Sequence, residues 1–105
     1  MIGSISGFDW DEGNRAKCGK HGLPLKDIEH LFHGTIAVFP DPRHSATEER
    51  FAAIGETADG RKAFVIFTLR EKNGLTFIRP VSARFMHRKE VEHYEKETAR
   101  ARQRR

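Results

Sequence analysis

The chain has little of what would staple it, export it or bury it in a membrane. One cysteine, Cys18, in 105 residues excludes an internal disulfide and offers no Cys-rich metal framework. A reducing cytoplasm is therefore the expected compartment. Met1 to Gly7 holds neither basic residues nor an apolar run, so no secretory signal is expected. The longest apolar stretches, such as Ala63 to Leu69, fall far short of the ~20 residues that span a bilayer, and a soluble protein is expected. Trp and Tyr occur once each against eight Phe, so much of the packing bulk has to come from phenylalanine. With 37% hydrophobic and 32% charged residues, the chain suits one domain, 1–105, with one modest core. Its ordered part is expected over about 8–99, with a flexible basic tail over 100–105.

Charge is unevenly placed. From Arg84 to Arg105 there are eight Lys/Arg and four Asp/Glu, whereas residues 1–83 carry eleven of each. The net +4 therefore sits wholly on the C-terminal part, which suggests a polyanionic partner or an acidic protein.

Along the chain, Phe8-Asp9-Trp10-Asp11 alternates aromatics with carboxylates and suits a short extended piece covering a core edge. Glu12 to His21 reads as a polar helix ending at Gly22, and Pro24 opens a second helix to about His33, with Leu25, Ile28, Leu31 and Phe32 on one face. Four strands are expected next: Thr35–Phe39, Arg50–Thr57, Lys62–Arg70 and Leu75–Ala83. Gly55 marks a bulge or a close contact in the second of them. The third is apolar on both faces and so central. Asp59-Gly60 and Asn73-Gly74 are tight-turn signals that make the last three strands an antiparallel meander. Pro80 cannot donate to a ladder, so the last strand is bulged or at an edge near it. From Met86 a helix-permitting run follows, with His87, Val91, Tyr94 and Thr98 on one face and His87 at its packed margin. The fold class is α+β: two N-terminal helices, an antiparallel four-stranded sheet and a C-terminal helix.

The joint between the last strand and the last helix gathers Arg79, Arg84, His87, Arg88 and Lys89, several phosphate-binding candidates and one side chain that titrates near neutrality. Arg79 and Arg84 lie an odd number of residues apart, so a regular strand puts them on opposite faces; an irregularity at Pro80 would restore a common one. Arg84, where the strand ends, is the stronger candidate, and its structural alternative is an ion pair with a sheet carboxylate such as Glu49 or Glu56. His44, on the loop stiffened by Pro40 and Pro42, rivals His87. Arg50 is placed to contact a polyanionic partner or to pair within the sheet. The histidines lack metal-ligand spacing with a third ligand, so neither metal nor cofactor is expected.

Phe8-Asp9-Trp10-Asp11-Glu12-Gly13-Asn14-Arg15, Lys20-His21-Gly22, Pro40-Asp41-Pro42-Arg43-His44-Ser45, Glu49-Arg50-Phe51 and Ile78-Arg79-Pro80-Val81-Ser82-Ala83-Arg84 together resemble the BrnT toxin family, in order and over about residues 8–94. The resemblance implies a RelE-like fold and a ribonuclease toxin of a type II toxin–antitoxin pair. It also implies a BrnA-like antitoxin with a ribbon-helix-helix part, through which alone the complex reaches operator DNA, and a toxin pair bridged by an antitoxin dimer. Metal-free cleavage through the ribose 2′-hydroxyl needs a base, an acid and cations on the phosphorane. Arg84, His87 and Arg79 are the catalytic candidates; Arg50, His44, Arg88 and Lys89 are the RNA-binding ones. The alternatives are a non-catalytic antitoxin-binding co-repressor and a plain nucleic-acid-binding module.

Overall fold

The two-sided apolar run expected at the centre of a sheet is at its centre. The computed structural model describes residues 4–42 and 48–103, so the reading on His44 lies outside the described residues. In chain order the elements are β1 (Gly7–Phe8), α1 (Glu12–Gly19), α2 (Leu25–His33), β2 (Ala37–Pro40), β3 (Phe51–Glu56), β4 (Lys62–Lys72), β5 (Leu75–Phe85) and α3 (Arg88–Gln103). The strands lie in the order β1-β5-β4-β3-β2.

The α+β class stands, but the sheet is not the four-stranded antiparallel one expected. It has five strands, because β1 pairs parallel to β5 through Gly7–Phe77 and Phe8–Ile78. The aromatic-carboxylate opening thus forms a ladder rather than only covering an edge. The β3-β4-β5 meander is antiparallel. At its β4–β5 turn Asn73 and Gly74 both take positive φ (53° and 78°), the conformation that a two-residue turn matched to strand twist requires.

One face of the sheet carries the core. Ala53, Ala63, Val65, Phe67, Ile78 and Ala83 meet Cys18, Leu23, Ile28 and Leu31 from the helical layer. Phe67 is fully buried and lies between Phe32, edge-on at 5.1 Å, and Phe51, stacked at 5.5 Å. Gly55 makes the close contact its position suggested, with no break in the β3 register: a Cβ there would stand 2.8 Å from Leu31 Cγ and 2.9 Å from Ile36 Cγ2.

Beyond the end of β1, α1 takes over the flank of β5. Asp11 caps it, accepting from Asn14 N at 2.9 Å while Asn14 Oδ1 accepts from Asp11 N at 2.7 Å. The same Asn14 side chain, buried, donates to the carbonyls of Asp9 (2.9 Å) and Pro80 (2.8 Å). One amide thereby joins the chain entry, the helix start and the strand carbonyl, each of which would cost free energy if left unpaired in the interior.

Among the described residues α3 contributes no buried one; Val91, Tyr94 and Thr98 are half-buried. His87 is exposed, contrary to the expected packed margin. It precedes the first helical residue, where the helical stripe does not yet govern direction, and acts through its backbone instead. Among the described residues no helix is long and apolar enough to cross a membrane.

Candidate functional site

The ladder settles which face the two strand arginines occupy. Ile66 pairs with Ser82, but the next β4 residue, Phe67, pairs with Pro80, so Val81 is an extra residue in β5. This bulge reverses the alternation. Arg84 lies opposite Phe64 and Arg79 opposite Thr68, two β4 residues of like parity, so both arginines stand on the face away from the core. At ~3.3 Å per residue they are about 13 Å apart along the strand, too far to grip one phosphate together.

Each has a carboxylate partner. Arg84 forms a two-pronged pair with Glu90 of α3, Nη1 to Oε1 at 2.8 Å and Nη2 to Oε2 at 2.9 Å, and its guanidinium lies over the Phe64 ring at 5.1 Å. The partner is therefore a helix residue, not the sheet carboxylates Glu49 or Glu56. Glu90 Oε1 also accepts from the backbone N–H of His87 at 2.8 Å, closing the first turn of α3. The Arg84 guanidinium, and then the His87 N–H, pull the Glu90 carboxyl down to about 2, and the same pairing pushes Arg84 up. One carboxylate thus holds Arg84 and His87 together.

Arg79 is 19% exposed and clamps the start of α1, with Nη2 at 2.8 Å from Asp11 Oδ2 and Nη1 at 3.9 Å from Asp9 Oδ2. The Asp11 carboxyl is lowered by the Asn14 backbone N–H first and by Arg79 second. Arg88 and Lys89 are exposed in the first turn of α3, Arg88 lying 3.5 Å from Glu92. Cations there oppose the positive end of the helix dipole, which raises the local attraction for an anion. The structure therefore brings Arg84, His87, Arg88 and Lys89 to one place and leaves Arg79 at another.

Arg50 lines a depression of about 500 Å3 on the open sheet face, together with Lys17, Asp41, Phe64, Ile66 and Ser82. Sequence reading passed over Lys17 and Phe64, which stand in no motif, and over Ser82, an uncharged member of the Ile78–Arg84 stretch. A larger cavity, about 750 Å3, lies between α3 and the β2–β3 end, lined by His30, Ile54, Tyr94 and Thr98 among others. It holds none of the candidate residues, whereas the smaller depression holds Arg50 together with Lys17 and is the better match to an anionic ligand. Among the described residues no group of three or more His, Cys, Asp or Glu is arranged to hold a metal ion.

The family described as the ribonuclease toxin BrnT of type II toxin–antitoxin systems matches residues 10–90. That span takes in α1, α2, strands β2 to β5 and the α3 start with Glu90, and leaves β1 outside it. No curated relative matches the chain.

Proposed function

The chain belongs to the BrnT family of type II toxin–antitoxin ribonuclease toxins, and on that premise we propose that it cleaves mRNA at the β5–α3 joint without a metal, arresting translation and growth until a BrnA-like antitoxin covers the joint. The observation that carries this reading is the Arg84–Glu90 fork. A guanidinium that already holds two carboxylate oxygens at 2.8 and 2.9 Å is pre-set to hold two phosphate oxygens in their place. RNA that displaces Glu90 puts a phosphate on Arg84 beside His87 and the cations of the α3 start. His87 then moves a proton, from the 2′-hydroxyl or to the leaving 5′ oxygen, while Arg84 stabilises the charge on the phosphorane. The products are a 2′,3′-cyclic phosphate and a 5′-hydroxyl. Arg88, Lys89 and Arg50 track the backbone, with His44 the rival to His87, and Arg79 supports the site by holding α1 to β5. The setting is the cytoplasm, and operator DNA is reached only through the antitoxin, in a complex that pairs two toxins.

The carboxylates on Arg84 and Arg79 also suit a second reading, a non-catalytic partner that binds the antitoxin and serves as co-repressor. Expression in a bacterial host separates the two. Growth arrest that Arg84→Ala removes and co-expressed antitoxin relieves supports the toxin; tight antitoxin binding without arrest supports the co-repressor.

A further inference from the structure

The depression beside the joint has a floor that the core does not account for. Phe64 and Ile66 point away from the helical layer that covers Val65 and Phe67, yet both are only half-exposed. Val81 and Ser82, neighbours in sequence, both line the same hollow. A regular strand would send one of them to the other face; the bulge at Val81 lets both serve it. Lys17, exposed in the last turn of α1, and Arg50 stand at its rim. The Phe64 ring is common to the hollow and to Arg84, which lies over it at 5.1 Å.

Resting on the RNA-cleaving reading above, we propose that this hollow is the subsite for one nucleotide of single-stranded RNA next to the phosphate held by Arg84, its base on Phe64, Ile66 and Val81 and its phosphates between Lys17 and Arg50. The volume, about 500 Å3, lies within the ~300–1,000 Å3 of small-ligand sites. An apolar floor whose edge carries two cations, Lys17 and Arg50, against one carboxylate, Asp41, fits a group that is flat and apolar at one end and anionic at the other. A lone phosphate would leave the apolar floor of Phe64, Ile66 and Val81 unused, and an apolar ligand would gain nothing from the rim. A base inside a duplex cannot reach the floor, whereas a splayed base of a single strand can.

The test uses the full chain and a fluorescein-labelled RNA octamer with 2′-O-methyl riboses, which cannot be cut, followed by anisotropy from 50 to 200 mM salt. Cleavage of the unmodified octamer is measured in parallel. Ser82→Phe fills the hollow on a strand position that accepts an aromatic; Lys17→Glu changes only an exposed side chain and serves if the first variant fails to fold. Each is expected to weaken binding about tenfold. Lys17→Glu should also lower the salt slope by about one, and Ser82→Phe should leave that slope unchanged while raising KM more than it lowers kcat. Wild-type binding in both variants, with binding lost in Arg84→Ala, would overturn the subsite and leave the cleavage site standing. Tight binding that both variants weaken, with no cleavage by the wild type, would uphold the subsite and overturn the cleavage reading. Failure of the wild type to bind the octamer at all would overturn both.

Discussion

Replacing Glu90 by Gln tests the joint with little change in shape. The substitution keeps an acceptor for the His87 N–H but removes the charge that holds the Arg84 fork. The Glu90 carboxyl stands at about 2 against an ordinary 4.5, a depression that in a dry interior would correspond to a few kcal/mol. Arg84 and Glu90 are 36% and 38% exposed, so water screens the pair, and about 1 kcal/mol is the expected loss at pH 7. For a chain of this size that lowers Tm by about 5 °C. The sign follows from the lowered value. Charged Glu90 favours the folded state, so its contribution is full above about pH 4.5 and is lost as pH falls through about 2. Thermal unfolding of wild type and Glu90→Gln across that range should show two curves separated at pH 7 and merging near pH 2, with a smaller gap in 1 M salt. A gap that stays constant down to pH 2, or no gap at pH 7, would refute the pairing as the source of the shift. The same variant should bind RNA more tightly than wild type, since no carboxylate competes for Arg84.

Other parts of the fold make separate predictions. Gly55→Ala puts a methyl against Leu31 Cγ at 2.8 Å and should cost about 1–3 kcal/mol, read as a lower urea midpoint with an unchanged slope. Asn14→Ala removes the donors to the Asp9 and Pro80 carbonyls and half of the α1 cap, so a loss of about 2–3 kcal/mol is expected by the same assay. The Cys18 thiol is fully buried and pushed by that burial up to about 11. At pH 8 iodoacetamide should leave it unmodified in the native protein and label it rapidly in denaturant; equal rates would contradict the burial of α1 against the core.

Much of the fold is written in local pattern. The apolar run of β4, the Asn73-Gly74 turn and the β-strand breaker Pro80 each have a short-range physical cause, and each acts where expected. Even the shared face of Arg79 and Arg84 is legible, because a proline in the ladder implies an irregularity. What escapes is non-local. β1 is two residues long and pairs in parallel with a strand some seventy positions away, so the alternation around Phe8 shows an extended piece but not its partner. Asp11 and Asn14 cap α1 through side chains that differ from the Ser/Thr and Glu pattern. The partner of Arg84 lies across a strand-to-helix corner that strand register cannot show, although Glu90 three residues after His87 has the spacing of a capping box. Lys17 and Phe64 enter the candidate site only because the bulge and the flank packing of α1 bring three elements together.

The central claim is metal-free RNA cleavage at the β5–α3 joint. Its most direct test incubates purified, antitoxin-free protein with RNA in excess EDTA, beside Arg84→Ala and His87→Ala, and identifies the 3′ ends. The account predicts 2′,3′-cyclic phosphate ends from the wild type, with the rate down at least a hundredfold in Arg84→Ala and sharply reduced in His87→Ala. Cleavage that is equal in all three proteins, or that stops with EDTA, would contradict it.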